Sequence, residues 1–93
     1  MSIGWQVQYK RTFLKEMANL PRSVRGRVEA IAFGPEIQED PFLAGKTQKL
    51  VGHPSYYKIR VGEYRIGLFI DTSGQIVVFQ RVLHRREIYR KFP

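Results

Sequence analysis

The amino-acid sequence predicts an α+β fold in the order βααβββ, a small antiparallel sheet with two N-terminal helices on one face. Three observations carry this expectation. One short alternating segment is followed by two stretches of helical period. Three segments of strand character then close the chain. The turns joining those last three segments are short enough to force hairpins, hence an antiparallel meander.

The first strand is expected over residues 4–9, where Gln6-Val7-Gln8-Tyr9, led by Trp5, alternates with period two. Thr12 is placed to cap the next element. Phe13, Met17 and Leu20 recur at i, i+4 and i+7, with Leu14 and Ala18 widening the stripe, so a short amphipathic helix follows. Leu20-Pro21-Arg22-Ser23 breaks it, and Pro21 or Ser23 starts a second helix. That helix sets Val24, Val28, Ile31 and Ala32 against a charged face of Arg22, Arg25, Arg27 and Glu29, and ends at Gly34-Pro35. Two helices this close in sequence favour an antiparallel hairpin.

Residues 34–48 read as irregular. A strand begins near Lys49-Leu50 and resumes at Tyr56 after the Gly52-His53-Pro54 interruption. Gly62-Glu63 forms a tight turn, Asp71-Thr72-Ser73-Gly74 a second, and the last strand spans 75–83. The tail beyond Leu83 forms a short helix or turn.

Alternation assigns the faces. Tyr57, Ile59 and Val61 point one way, and Tyr56, Lys58 and Arg60 the other. In the next strand Tyr64, Ile66, Leu68 and Ile70 share the core face. Lys58, Arg60 and Arg65 thus fall together on the face away from the helices, and Gly67 keeps that face low enough for a ligand to reach the backbone. In the last strand Ile76 and Val78 suit the core face and Val77 and Phe79 the other, with alternation spoiled at Gln80-Arg81. If the register holds beyond them, Arg81, Leu83 and Arg85 extend the basic face.

The 93 residues fit one domain, 1–93, with 16 Lys+Arg against 8 Asp+Glu and a net charge of +8. Half of the cations lie after residue 57, opposed there only by Glu63, Asp71 and Glu87. Adjacent cations on neighbouring strands repel, and phosphate is the counter-charge that Arg matches best. A solvated basic surface would explain one such residue; the grouping of Lys58, Arg60, Arg65 and Arg85 beside tyrosines points to a polyanion site. There are no cysteines, which excludes disulfides and thiolate zinc sites. One His-Pro pair at His53 makes a turn, not a metal site. No apolar run approaches a membrane span, and Met1-Ser2-Ile3-Gly4-Trp5 lacks a leader pattern, so a cytoplasmic location is expected.

As an ordered set, several segments resemble the RelE/ParE superfamily of bacterial toxins, its RelE branch more closely. They are the opening strand, the helical pair about Leu20-Pro21, Lys49-Leu50-x-Gly52, Tyr57-Lys58-Ile59-Arg60-Val61-Gly62-Glu63-Tyr64-Arg65 and His84-Arg85-Arg86-Glu87-Ile88-Tyr89. The resemblance covers nearly the whole chain. It implies a RelE-like fold and a toxin of a type II toxin–antitoxin system. It also implies a ribosome-dependent, metal-independent endoribonuclease (an mRNA interferase) that inhibits translation and needs no cofactor. The implied partners are an acidic, partly disordered RelB-like antitoxin, the ribosome and its mRNA. Operator DNA is met only through the antitoxin complex.

In that chemistry a ribose 2′-OH attacks the adjacent phosphate in the ribosomal A site, leaving a 2′,3′-cyclic phosphate and a 5′-OH. The resemblance places Lys58, Arg65, Arg85 and Tyr89 as the catalytic set. Lys58 is the expected base, and Arg85 or Tyr89 the expected proton donor or leaving-group stabiliser. Arg65 and Arg85 would stabilise charge on the nonbridging oxygens. Arg60, Tyr56, Arg81, His84 and Arg86 would bind RNA, Arg60 gripping the backbone and Tyr56 stacking on a base. The ending departs from the family's type member, which has a basic residue at the His84 position and one more residue before its tail tyrosine. Some relatives use Glu or His as the base, so His84 and Glu87 compete with Lys58.

Two other readings share the fold. One is a ParE-like inhibitor of DNA gyrase that acts by binding. The other is a catalytically degenerate member that binds antitoxin and acts as a repressor partner. The full basic set favours RNA cleavage over both.

Overall fold

The structure, a computed structural model, describes residues 4–93; the start of the segment read above for a leader (Met1 to Ile3) lies outside them. Strand β1 (Gln6–Tyr9) leads into helices α1 (Arg11–Ala18) and α2 (Arg22–Ala32). A short helix α3 (Glu36–Glu39) and a 3-10 turn (Leu43–Gly45) follow. Strands β2 (Thr47–Lys49), β3 (Tyr56–Val61), β4 (Tyr64–Asp71) and β5 (Ile76–His84) come next, and α4 (Arg85–Lys91) closes the chain. The sheet order is β1-β5-β4-β3-β2. The four later strands are antiparallel, as expected, while β1 joins β5 in parallel with Tyr9 opposite Phe79. The α+β class and the two helices on one face hold. The sheet is mixed and one strand wider than βααβββ.

Local chemistry explains the elements that periodicity missed. Residues 34–48 are ordered by two anchors. Ile37 is 1% exposed and ties α3 to the core, and Asp40 accepts from Phe42 N at 3.0 Å and from Ala44 N at 3.0 Å. The Asp40 bonds hold Leu43 and Ala44 at φ of 51° and 53°, the left-handed region in which such residues need outside support. Thr47 Oγ1 donates to Pro41 O at 2.7 Å and starts β2 two residues before its expected beginning. Thr12 lies inside α1, whose N-cap is Lys10 without a side-chain bond, and Pro21 is the N-cap of α2.

The core lies between the helices and one sheet face. Phe13, Met17, Val28 and Ala32 pack on Ile59, Val61, Ile66, Leu68, Ile70, Val77, Phe79 and Val82. Val77 and Phe79 are fully buried, so the expectation for β5 is corrected: it is Ile76 and Val78 that face away from the helices. A bulge resolves the conflict. Leu68 pairs with Phe79 and Gly67 with Arg81, leaving Gln80 as the extra residue. Before Gln80 the odd positions point to the core; after it Arg81 and Leu83 point outward and Val82 inward.

The outer face is not bare. Helix α4 folds back across it, and Leu50, Ile88 and Phe92 form a second buried cluster with Tyr56 and Leu83 packed alongside. Phe92 sits directly over Gly67; an added Cβ at Gly67 would lie 2.8 Å from three atoms of its ring. The expectation that Gly67 opens the backbone to a ligand is therefore overturned, because the chain's own tail occupies that space. No helix among the described residues is long and apolar enough to cross a membrane.

Candidate nucleic-acid interface

Three cross-strand rows build the outer face. Tyr56, Phe69 and Val78 form one; Lys58, Gly67 and Arg81 the next; Arg60, Arg65 and Leu83 the third. The first is an aromatic floor. Tyr56 is half-buried, edge-on to Phe69 at 5.5 Å and to Phe92 at 5.6 Å. Its ring packs between two of the chain's own aromatic rings, which differs from the free base-stacking position expected of it.

The centre of the site is Lys58 with Tyr89. Lys58 Nζ donates to the Tyr89 hydroxyl at 2.7 Å and lies 4.8 Å from the centroid of its ring. A strand residue and a helix residue 31 positions apart are joined because α4 crosses the sheet at this point. Tyr89 remains 58% exposed, so the pair is open to a ligand. The hydrogen bond from Lys58 is the main cause that lowers the Tyr89 phenol below its ordinary value; partial burial opposes it, and the charges of Lys58 and Arg65 add to it.

Arg65 stands beside this pair. Its Nη1 donates to Gly62 O and to Tyr64 O, each at 2.9 Å, which turns the guanidinium back along the β3–β4 turn. Arg60 is exposed and in register with Arg65 across the strands. Like charges directly opposite one another destabilise a sheet unless an anion intervenes. Arg60 has no carboxylate partner among the described residues.

Arg85 opens α4 at the rim. Its backbone N–H donates to Glu63 O at 2.8 Å, and its Nε meets Glu63 Oε1 at 2.9 Å. Both of those side chains are more than half exposed, so a phosphate could displace the carboxylate at little cost. Arg65 and Arg85 thus hold the same two-residue turn, one through the carbonyl of Gly62 and the other through Glu63.

Three expected residues are placed differently. Arg81 lies in the row of Lys58, but its guanidinium reaches Glu16 of α1 at 2.7 Å and the carbonyl of Lys91 at 3.2 Å. It serves the fold rather than standing free for RNA. His84 belongs to the row of Val61 and Tyr64, on the helix-bearing side of the sheet. There its Nδ1 caps α4 by accepting from Arg86 N at 3.2 Å, and its ring meets Tyr64 edge-on at 5.4 Å. This placement separates His84 from Lys58 and Tyr89. Glu87 pairs with Lys91 at 3.2 Å, not with Arg86 or Arg90. Arg86 is exposed on α4 and carries no carboxylate partner among the described residues.

A groove of about 970 Å³ lies to one side, between α2, the segment 36–46 and β3. Arg27, Lys46 and Arg60 line it together with Glu36, Glu39 and Asp40. The mixed charge makes it a poor phosphate site, and of the outer-face cations only Arg60 reaches it, while Lys58, Arg65, Arg85 and Tyr89 lie outside it. Among the described residues there is no group of three or more His, Asp or Glu able to hold a metal ion. Sequence reasoning missed Glu16 and Phe92, the two residues that shape this face from outside it. Glu16 gave no signal beyond a charge on a helix, and Phe92 only that of an apolar residue near the chain end.

Comparison with known proteins agrees with this architecture. A family described as "ParE toxin of type II toxin-antitoxin system, parDE" matches residues 7–89. The sequence is 38% identical over 91 residues to Toxin RelE3 of Methanocaldococcus jannaschii, covering 95% of this chain and 99% of that one. It is 32% identical over 89 residues to Toxin RelG of Mycobacterium tuberculosis, covering 94% and 98%. The fold superposes on the toxin in the RelB-RelE antitoxin-toxin complex from Methanococcus jannaschii with a TM-score of 0.73 at 38% identity, covering 92% and 99% of the two chains. It matches the RelBE2 complex of Mycobacterium tuberculosis with a TM-score of 0.71 at 26% identity, covering 91% and 95%. By this likeness, extending from the first strand to the tail tyrosine, the chain belongs to the ParE toxin family of type II toxin–antitoxin systems and is a RelE-like toxin.

Proposed function

We propose that this toxin is an endoribonuclease that cuts mRNA in the ribosomal A site and so stops translation. The 2.7 Å contact between Lys58 and Tyr89, flanked by Arg65, is the observation that supports the reading most strongly. Cleavage by 2′-OH attack needs a base, an acid and stabilisation of the phosphate oxygens, and these groups can provide all three. Lys58, as the amine, takes the proton from the 2′-OH as the 2′ oxygen forms its bond to phosphorus. Tyr89 gives its proton to the 5′ oxygen as the old bond to phosphorus breaks. Once Lys58 carries that proton, its hydrogen bond and charge lower the Tyr89 phenol and make it the better donor. The proton gained by Lys58 then crosses the same hydrogen bond to the tyrosinate, restoring both groups. Arg65, and Arg85 once it releases Glu63, would face the nonbridging oxygens. Arg60 and Arg86 would hold the backbone on either side.

The partner of the resting protein is a cognate RelB-like antitoxin. Supporting this, the matched structures include toxin–antitoxin complexes, and a chain of +8 charge attracts an acidic one. Programmed ribosomes carrying a defined mRNA, followed by primer extension, test the activity. A-site cuts that vanish in Lys58→Ala and Arg65→Ala are expected. Intact mRNA with continuing growth arrest would overturn the reading in favour of gyrase. Intact mRNA without arrest would favour a degenerate binding partner.

A further inference from the structure

Each residue of the central row receives one residue of the tail. Lys58 receives the Tyr89 hydroxyl, Gly67 the Phe92 ring and Arg81 the Lys91 carbonyl. Phe92 is the C-cap of α4, tied to it by its N–H donating to Ile88 O at 2.8 Å, and it follows Tyr89 by three residues, so the tail delivers Tyr89 to Lys58 and Phe92 to the neighbouring Gly67. Gly67 is not among the residues with positive φ, so it is space, not backbone conformation, that requires a glycine there. Ile88 of α4 is 1% exposed and Phe92 just beyond it 5%, which makes them the buried residues of an otherwise exposed tail. Arg81 is itself fixed through Glu16 to α1.

We infer that Gly67 is a positioning residue for Tyr89: it admits Phe92 against the sheet, and the docked tail sets the phenol against Lys58. This inference rests on the nuclease reading only for its effect on rate. The geometry of the pair stands apart from it. A tail lifted by an added Cβ rotates or slides α4, and a displacement of about 1 Å at a reacting group can reduce turnover on the order of a hundredfold.

The test uses the full chain with ¹³C-labelled tyrosine. The Tyr89 resonance is assigned through Tyr89→Phe and titrated in wild type, Gly67→Ala, Phe92→Ala, the Gly67→Ala/Phe92→Ala double variant and Lys58→Met. In both single variants the Tyr89 phenol is expected to titrate higher than in wild type, towards its behaviour in Lys58→Met. The double variant is expected to move no further than Phe92→Ala, because the Gly67 Cβ then meets no ring. On ribosomes the same variants are expected to lose kcat by about tenfold or more while KM holds. Should Gly67→Ala fail to fold, Phe92→Ala alone decides. A wild-type titration of Tyr89 in a folded Phe92→Ala protein would overturn the inference. Absence of cleavage by the wild type would overturn the nuclease reading, and the titration would still judge the positioning.

Discussion

Glu16 and Arg81, 65 positions apart in sequence, close the open edge of β5 together. Strand β1 ends at Tyr9 opposite Phe79, so the backbone of β5 beyond that point has no strand beside it on that edge. Glu16 takes over. Its Oε1 accepts from Val82 N at 3.0 Å, and its Oε2 accepts from Arg81 Nη2 at 2.7 Å. That bond to Glu16 raises the guanidinium further above its ordinary value. The pair is mostly buried, at 25% and 19% side-chain exposure, so water replaces the lost partner poorly.

Glu16→Ala is therefore expected to destabilise the protein by about 2 kcal/mol, since it strands both a backbone donor and a charge. Glu16→Gln keeps an acceptor for Val82 N and should cost less. Denaturant titration checks this: the midpoint falls with the slope unchanged. An unmoved midpoint would mean that solvent satisfies Val82 and Arg81 equally well.

Tyr89 carries a pH signature with a definite sign. Its phenol is lowered from 10.0, chiefly by the hydrogen bond from Lys58. An acidic group depressed in the folded state contributes stability above its unfolded value, lost as pH falls through the folded value. The contribution is thus full above the unfolded value of 10.0 and fades as pH falls through the lower folded one. Difference absorbance between wild type and Tyr89→Phe should show a phenol ionising below the ordinary range. Lys58→Met should return it upward. A titration indifferent to Lys58 would dissolve the pair.

The sequence reveals this fold where alternation is clean and hides it where alternation is lost. From Lys58 to Arg65 cations alternate with apolar residues, which sets the phase of β3 and β4, so Ile59, Val61, Ile66, Leu68 and Ile70 are legible as core and Lys58, Arg60 and Arg65 as the opposite face. In β5 the run Ile76 to Phe79 is apolar throughout, and period two carries no phase in such a run. The bulge at Gln80 then reverses the phase, which is why Arg81 faces outward although Val77 and Phe79, also at odd positions, face the core. Strand β2 is only three residues long and is held by Thr47 and Pro41, a pairing with no local pattern. In the site, Lys58 and Tyr89 were legible as residue types through the family resemblance. Their contact was not, because it depends on Phe92 docking over Gly67 from the far end of the chain.

Arg65 and Arg85 both brace the Gly62-Glu63 turn, yet neither is part of the core. An Arg65→Ala/Arg85→Ala double variant should lose toxicity in growth assays while its melting temperature stays close to wild type. Arg85 is exposed and Arg65 half-buried, and surface substitutions outside the core change stability by about 0.5 kcal/mol each, with the two carbonyl contacts of Arg65 adding to that. Retained toxicity in a folded double variant would remove both residues from the site. A large fall in melting temperature would instead show that bracing the turn is their main contribution.

The register of β5 can be read directly from two neighbouring valines. Val77 is fully buried between Ile70 and the helices, whereas Val78 lies half-buried on the outer face opposite Phe69. Removing two methyl groups from a closed core loses their transfer energy and leaves a cavity, so Val77→Ala should cost about 2 kcal/mol. Val78→Ala removes the same atoms from a surface that water already reaches, and should cost less than half as much. Had the strand kept one phase from Ile76 through Leu83 with Arg81 outward, Val78 would be the buried residue and the order would invert. Denaturant midpoints of the two variants therefore decide whether Gln80 is a bulge in solution.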